Sequence, residues 1–474
     1  MAFYNELERW KTNQAFIDDL GNSMTYQELE RYTSELKTVI GNRTLVFSFS
    51  NNTIGSVTGY IAFLKNRVVP LLLKVDIEKE LRDNLIKIYQ PSYLYIPENK
   101  KDEFPDYQCV WEGIGYCLLQ TQYPKEVPLY QNLALLLTTS GSTGSPKLVR
   151  QSYDNIQSNA QSIAQYLELN ETERPITTLP MNYTYGLSII NSHLFVGATI
   201  LLTEYTLMER EFWDFFKQEK ATSFGGVPYT YEILKKLRFF KMDLPYLRTM
   251  TQAGGKLSPE LHREFAKYAQ ENGKHFVVMY GQTEATARMG YLPWKKAIEK
   301  YGSMGIAIPG GKLWLKDIQG NKIIQPDIIG ELVYEGKNVT LGYAICKEDL
   351  KKEDERYGVL ETGDMAKMDE EGYFYIVGRK KRFLKIFGNR VNLDETERMI
   401  KVTFEGLDCA CAGIDDKLYI FITEDSKEKR EEVKHFLSLK TGINISAFIV
   451  KTITEIPKNE AGKTQYRKLE EFYD

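Results

Sequence analysis

Short apolar runs alternate with amphipathic stretches over most of this chain, and the two spacings predict different elements. At Thr25-Tyr26-Gln27-Glu28 a hydroxyl stands three residues before a carboxylate, a pattern that satisfies the free N–H groups of a helix start. Apolar positions then follow at helical spacing through Leu36. Thr44–Phe49, Leu133–Thr139, Ala198–Thr203, Phe276–Tyr280, Glu331–Tyr334 and Tyr373–Val377 read as strands. Between Leu133–Thr139 and Pro175–Leu179, the residues Ile156, Ala160, Ile163, Ala164 and Leu167 fall at helical spacing. Strand, loop, helix and strand in that order predict an α/β fold. No internal repeat or low-complexity segment interrupts it.

A domain boundary is expected after Tyr373–Val377, where Gly378–Lys385 gathers Arg379, Lys380, Lys381, Arg382 and Lys385. Taken alone, such a basic run reads as a solvated face. Beyond it, strands at Lys417–Thr423 and Ala447–Val450 and a charged helix near Ser426–Leu439 predict a small α+β domain.

Composition narrows the class. The 474 residues carry 61 basic and 64 acidic side chains, a net charge of −3, which gives no electrostatic case for nucleic acid as a partner. Hydrophobic residues at 43% and charged residues at 26% are globular values. The longest apolar runs, Leu133–Leu137 and Val68–Leu73, fall far short of the ~20 residues that span a bilayer. Met1–Phe16 shows no apolar core of a secretory signal, so the expected compartment is the cytoplasm. Cys409 and Cys411 stand one residue apart, too close for a usual zinc pair, and His193, His262, His275 and His435 are scattered.

The first chemical signal follows the strand at Leu133–Leu137. Thr138-Thr139-Ser140-Gly141-Ser142-Thr143-Gly144-Ser145-Pro146-Lys147 combines hydroxyls, glycines and a cation. Glycines let backbone N–H groups approach an anion closely, so a phosphate cradle is one reading and a polar turn the other. It is not a Walker A loop, because Pro146 precedes Lys147 and Leu148 follows it.

Thr139–Lys147 resembles the phosphate-binding loop of the adenylate-forming superfamily, whose usual form is Thr-Ser-Gly-Thr/Ser-Thr-Gly-x-Pro-Lys. That superfamily includes acyl- and aryl-CoA synthetases, adenylation domains of nonribosomal synthetases, D-alanine–carrier ligases and luciferases. Further motifs follow in its order: Tyr280-Gly281-Gln282-Thr283-Glu284, Glu361-Thr362-Gly363-Asp364, Gly378-Arg379, and Pro457–Lys463 ending in Gly462-Lys463. Weaker likeness runs from Met24-Thr25-Tyr26 through Gly302-Ser303-Met304-Gly305, so the resemblance covers essentially the whole chain.

The resemblance implies a large, multi-subdomain α/β domain over residues 1–380 that binds ATP and an acid. It also implies a small, mobile α+β domain over 381–474 that carries Lys463. The implied chemistry is attack of a carboxylate on the α-phosphate of ATP, release of pyrophosphate, and transfer of the acyl group to a thiol of CoA or of a phosphopantetheinyl carrier protein. Thr139, Ser140, Gly141, Ser142, Thr143, Gly144 and Lys147 would cradle phosphate. Glu284 would contact Mg²⁺, and Thr283 would donate to the α-phosphate. Tyr280, in its motif with Gly281, would stack on adenine, with Gly254 and Gly255 against the other face. Asp364 would accept the ribose hydroxyls, Arg379 would reach the ribose or phosphate, and Lys463 would bridge carboxylate and phosphate oxygens. Lys381 would be the hinge between an adenylating and a thioester-forming pose.

Four positions depart from the pattern: Leu148 for glycine, Tyr153 for histidine, Leu393 for proline, and Arg382 where an acidic residue is frequent. The segment Leu179–Leu187 lacks the aspartate that amino-acid-activating relatives use for an α-ammonium group. Tyr183 and Tyr185 therefore suggest an uncharged fatty or aryl acid, though core aromatics would look the same. A D-alanine-type carrier ligase, a degenerate nucleotide-binding member and a luciferase-like oxygenase are the alternatives.

Overall fold

The computed structural model describes residues 2–138, 147–387, 389–458, 462 and 464–473. Its architecture is mixed α/β. By packing the chain forms two compact units, Met1–Lys312 with Tyr334–Leu360, and Leu313–Val333 with Glu361–Asp474. The strand ahead of the expected boundary thus packs with the residues behind it.

The first unit contains two sheets. One has eight strands in the order Gly342–Ala344, Leu148–Ser152, Leu133–Thr138, Val69–Lys74, Leu45–Ser50, Tyr93–Pro97, Tyr116–Gln120 and Gln108–Gly113. Its two apolar runs, Leu133–Thr138 and Val69–Lys74, lie side by side at its centre, as continuous runs do when both faces are covered. Pro70 is tolerated there because the neighbouring strand pairs at Leu71 and Leu72. The other sheet has nine strands, of which Gln14–Asp18, Ile200–Leu202, Pro175–Ile176, Ser223–Gly226, Thr249–Gln252 and His275–Tyr280 pair in parallel. A single core joins them, with Leu135 and Leu137 from one sheet, Phe16, Ile200 and Leu202 from the other, and helical residues Ile61, Ile156 and Ile190 between.

The helix at Tyr26–Ile40 begins with the capping box read at Thr25 and Glu28: Thr25 Oγ1 accepts from Glu28 N, and the Glu28 carboxylate accepts from Thr25 N at 2.8 Å. The helical spacing after Leu133–Thr138 is the helix Tyr153–Tyr166, capped by Ser152. One strand before it was not legible. Leu148–Ser152 is buried at every position, including Arg150 and Gln151, so it shows neither alternation nor an apolar run.

In the second unit, a five-stranded sheet includes the hairpin of Val359–Met368 with Phe374–Arg379. The predicted elements beyond it are Lys417–Ile422, Phe448–Thr452 and the helix Lys427–Thr441, which starts at the cap Ser426. Cys409 and Cys411 are buried in the strand Cys409–Ile414. Three cations of the basic run are paired, and of these Arg382 alone is largely withdrawn from solvent. Arg379 pairs with Asp364 at 2.7 Å, Lys380 with Glu331 at 2.8 Å, and Arg382 with Asp394 and Glu397 at 2.8 and 2.5 Å. The charge reversal at Arg382 is thereby explained, since its guanidinium joins two carboxylates of the helix Leu393–Thr403. No helix among the described residues is long and apolar enough to cross a membrane.

Candidate active site

The strands Leu133–Thr138 and Leu148–Ser152 are antiparallel, with Thr138 opposite Leu148. Both ends of the phosphate-loop candidate therefore leave the sheet at one point. Its residues Thr139, Ser140, Gly141, Ser142, Thr143 and Gly144 lie outside the described residues. Lys147 is described, and its Nζ stands 3.5 Å from the ring centroid of Tyr343. Tyr343 is there because the short strand Gly342–Ala344 pairs with Leu148–Ser152, placing Tyr343 opposite Val149.

Tyr343 links this loop to the second motif. Its hydroxyl donates to Glu284 Oε1 at 2.8 Å, and the Arg356 guanidinium lies 4.7 Å from its ring centroid. Burial, and then the neighbouring Glu284 charge, push the Tyr343 hydroxyl up to about 12, so it is a neutral donor at working pH. The backbone of Glu284 is fixed separately. Its carbonyl accepts from Thr340 N and Oγ1, both at 3.0 Å, and from Arg356 Nη1 at 3.4 Å. One half-buried carboxylate thus stands with two cations around a shared tyrosine.

That donor set fits a magnesium ion accompanied by a nucleotide. Mg²⁺ is usually held by one or two carboxylates, with phosphate and water oxygens completing its shell. Among the described residues no group of three or more His, Cys, Asp or Glu side chains forms a metal cage. Glu284 would be the protein ligand, and Tyr343 would aim it. Tyr343→Phe is accordingly expected to raise the Mg²⁺ concentration needed for half-maximal turnover about 10–100-fold, with little change in unfolding. A magnesium titration of activity measures this, and an unshifted midpoint would remove Tyr343 from the role.

The loop after Tyr280 doubles back tightly. A Cβ on Gly281 would lie 1.5 Å from the Ala287 carbonyl oxygen, so only glycine fits. Thr283 and Glu284 sit in the short turn Thr283–Ala285, and the Thr283 carbonyl accepts from Gln151 Nε2 at 3.4 Å. Thr286 and Ala287 then take positive φ values of 53° and 102°, strained for residues with side chains. Tyr280 is half-buried at the end of its strand, with Gln282 Nε2 donating to its hydroxyl at 3.3 Å. Gly254 has φ +83°, and a Cβ there would stand 2.6 Å from the Tyr183 hydroxyl. Gly255 is exposed beside it. Tyr183 immediately precedes the helix Thr184–Phe195 without a side-chain capping bond, and its ring meets that of Tyr185 edge-on at 6.4 Å. Tyr185 is buried, and its hydroxyl donates to the Thr251 carbonyl at 2.8 Å.

In the second unit, Asp364 and Arg379 face each other across the hairpin, and Arg379 Nε lies 2.7 Å from Asp364 Oδ1. Asp364 is buried, while Arg379 is exposed. Lys381 lies in the turn Lys380–Arg382. Lys463 lies outside the described residues.

Sequence reading missed Tyr343, Arg356 and Arg288. Tyr343 and Arg356 carry no local signal, because their importance comes from a strand pairing. Arg288 did leave one: it is a lone charge in the otherwise uncharged run Ala287–Leu292.

A family model described as AMP-binding enzyme matches residues 3–344, and the chain belongs to that family. It is 29% identical over 369 residues to a long-chain-fatty-acid–CoA ligase of Yersinia pestis, covering 73% of this chain and 63% of that one. It is 29% identical over 351 residues to 4-hydroxybutyrate–CoA ligase 1 of Metallosphaera sedula, covering 70% and 61%. The matched stretch therefore spans less than two thirds of either relative. The fold is that of the O-succinylbenzoate coenzyme A synthetase of Bacillus subtilis solved with ATP and magnesium ion. Its TM-score is 0.78 at 20% identity, over 98% of this chain and 99% of that one.

Proposed function

We propose that this chain is an AMP-forming acid–thiol ligase. It adenylates a carboxylic acid of fatty or aryl skeleton and passes the acyl group to the thiol of CoA, the acceptor in its relatives' names. The observation that carries this reading is the meeting of Lys147, Tyr343, Arg356 and Glu284 at the mouth of the phosphate-loop candidate.

In the first step the acid's carboxylate oxygen forms a bond to the α-phosphorus of ATP, and the bond to pyrophosphate breaks. Both reactants are anions, so cations must offset their repulsion. Lys147 and residues 139–144 would hold the outer phosphates, Thr283 would donate to the α-phosphate, and Tyr280 with Gly254 and Gly255 would hold adenine. Asp364 would accept the ribose hydroxyls, with Arg379 keeping its carboxylate oriented. Magnesium, when bound at Glu284, supplies further charge neutralisation. In the second step a thiolate attacks the acyl carbon and AMP leaves. Residues 381–474 would turn about Lys381 between the two steps, carrying Lys463 into and out of the site.

ATP–pyrophosphate exchange with Mg²⁺ across fatty, aryl and amino acids tests this. Exchange with at least one fatty or aryl acid, followed by thioester formation on adding CoA, is expected. A preference for D-alanine with a carrier protein would favour that alternative. Nucleotide binding without exchange for any acid would mark a binding protein instead.

A further inference from the structure

Arg288 is 1% exposed, yet among the described residues no carboxylate pairs with it. Its Nε donates to Ser188 Oγ at 3.2 Å, its Nη1 donates to the Tyr166 hydroxyl at 3.2 Å and contacts Met279 Sδ, and its Cζ lies 4.4 Å from the Tyr185 ring centroid. All these partners are neutral, and among the described residues the hydrogen bonds leave from Nε and Nη1. Arg150, the other large cation buried as deeply, contrasts with it, because Arg150 has both the Glu355 carboxylate and backbone carbonyls. A buried charge without its counter-ion is costly and signals a partner that arrives from outside.

The surrounding backbone is built to hold Arg288 in place. It follows the strained turn at Thr286 and Ala287, and its carbonyl accepts from Asn338 Nδ2 at 2.8 Å and Asn159 Nδ2 at 3.0 Å. Thr286 Oγ1 also donates to the Asn338 carbonyl at 2.8 Å. Strain fixed this firmly is characteristic of functional sites.

A small, largely apolar cavity lies against the guanidinium, walled by Ile163, Leu167, Ile189 and Phe224, with Ser192, His193 and Thr251 among its polar members. His193 Nε2 is buried there with no partner among the described residues. Burial first, and the Arg288 charge further, bring His193 down to about 4, so the ring is neutral and Arg288 is the cavity's positive charge. Contacts also run outward from Arg288 to the Tyr185 ring, from Tyr185 to Tyr183, and from Tyr183 to Gly254. Gly254 is where the nucleotide's base is expected, so Arg288 stands at the far end of the acid's path.

We infer that the acid this chain activates carries a second carboxylate at its far end, with Arg288 as that group's counter-ion. The inference rests on the acid–ligase reading and replaces the expectation of an uncharged acid. Lack of an acidic residue in Leu179–Leu187 removes the usual partner for an ammonium group, but it does not make the pocket neutral. A neutral acyl chain would leave Arg288 desolvated and unpaired, whereas a site built around such a group discriminates strongly against analogues lacking it.

Exchange measured with length-matched pairs tests this: butanoate against succinate, hexanoate against adipate, and benzoate against isophthalate. In at least one pair the diacid should have a kcat/KM tenfold or more above its partner. Arg288→Met should lower that diacid's value at least 100-fold while the monoacid changes less than threefold, and Arg288→Lys should retain part of the preference. Exchange with monoacids only, or a diacid preference that survives in Arg288→Met, overturns the assignment while leaving the ligase reading intact. Exchange with no acid overturns both. If Arg288→Met fails to fold, the wild-type preference and its partial retention in Arg288→Lys decide.

Discussion

Lys463→Ala is expected to lower ATP–pyrophosphate exchange about 10²–10³-fold while leaving nucleotide binding largely intact. The reason is the charge of the step. A carboxylate must approach a phosphorus already surrounded by anionic oxygens, and a preorganised ammonium between them is worth most as the new bond forms. On the proposed reading, ground-state nucleotide binding would draw instead on adenine, ribose and outer-phosphate contacts, which Lys463 would not supply. The chain on either side of this position is anchored. Lys458 and Thr464 form a β-bridge, Gln465 N donates to the Pro457 carbonyl at 2.8 Å, and Gly462 takes φ +71°. Loss of one terminal ammonium between such anchors should leave folding alone. Exchange rates and nucleotide titrations on the same variant separate the two effects, and an unchanged exchange rate would remove Lys463 from catalysis.

The largest loss of stability is expected at Arg150, a residue to which the proposed reaction assigns no step. Its guanidinium is fully buried and donates to the carbonyls of Tyr343 and Leu341 at 3.1 Å and of Glu353 at 3.3 Å, to that of Lys352, and to the Glu355 carboxylate. It thereby ties the strand Leu148–Ser152 to the segment that carries Tyr343 and Arg356. Arg150→Ala leaves several buried carbonyls without donors and opens a cavity, which should cost about 3–5 kcal/mol. Glu355 is half-exposed and can be resolvated, so the carbonyls account for most of the loss. Denaturant unfolding measures it, and a change below about 1 kcal/mol would show that these bonds are not holding the segment.

Much of the fold was legible because its determinants are local. The capping box at Thr25, the helical spacing from Ile156 to Ala164 and the apolar run Leu133–Leu137 each depend on neighbours within a few residues. Leu148–Ser152 was not legible, since a strand buried on both faces with Arg150 inside it is intelligible only once the carbonyls around that arginine are known.

The same division holds for the site. The sequence by itself determined the family, through motifs whose residues are contiguous: the loop ending in Lys147, the turn Thr283-Glu284 and the Thr362-Gly363-Asp364 segment. It placed Gly281 in one of those motifs, but the reason only glycine fits there is a carbonyl six residues on. Tertiary structure alone decided which groups meet. Tyr343 reaches Glu284 from 59 residues away, Arg288 reaches Ser188 across 100, and Asp364 faces Arg379 through a hairpin register. Local spacing specifies which face of an element a side chain occupies. Its electrostatic partner is specified by strand pairing and helix packing between distant segments, and that is why the buried positive charge at Arg288 emerged only when the chain was folded.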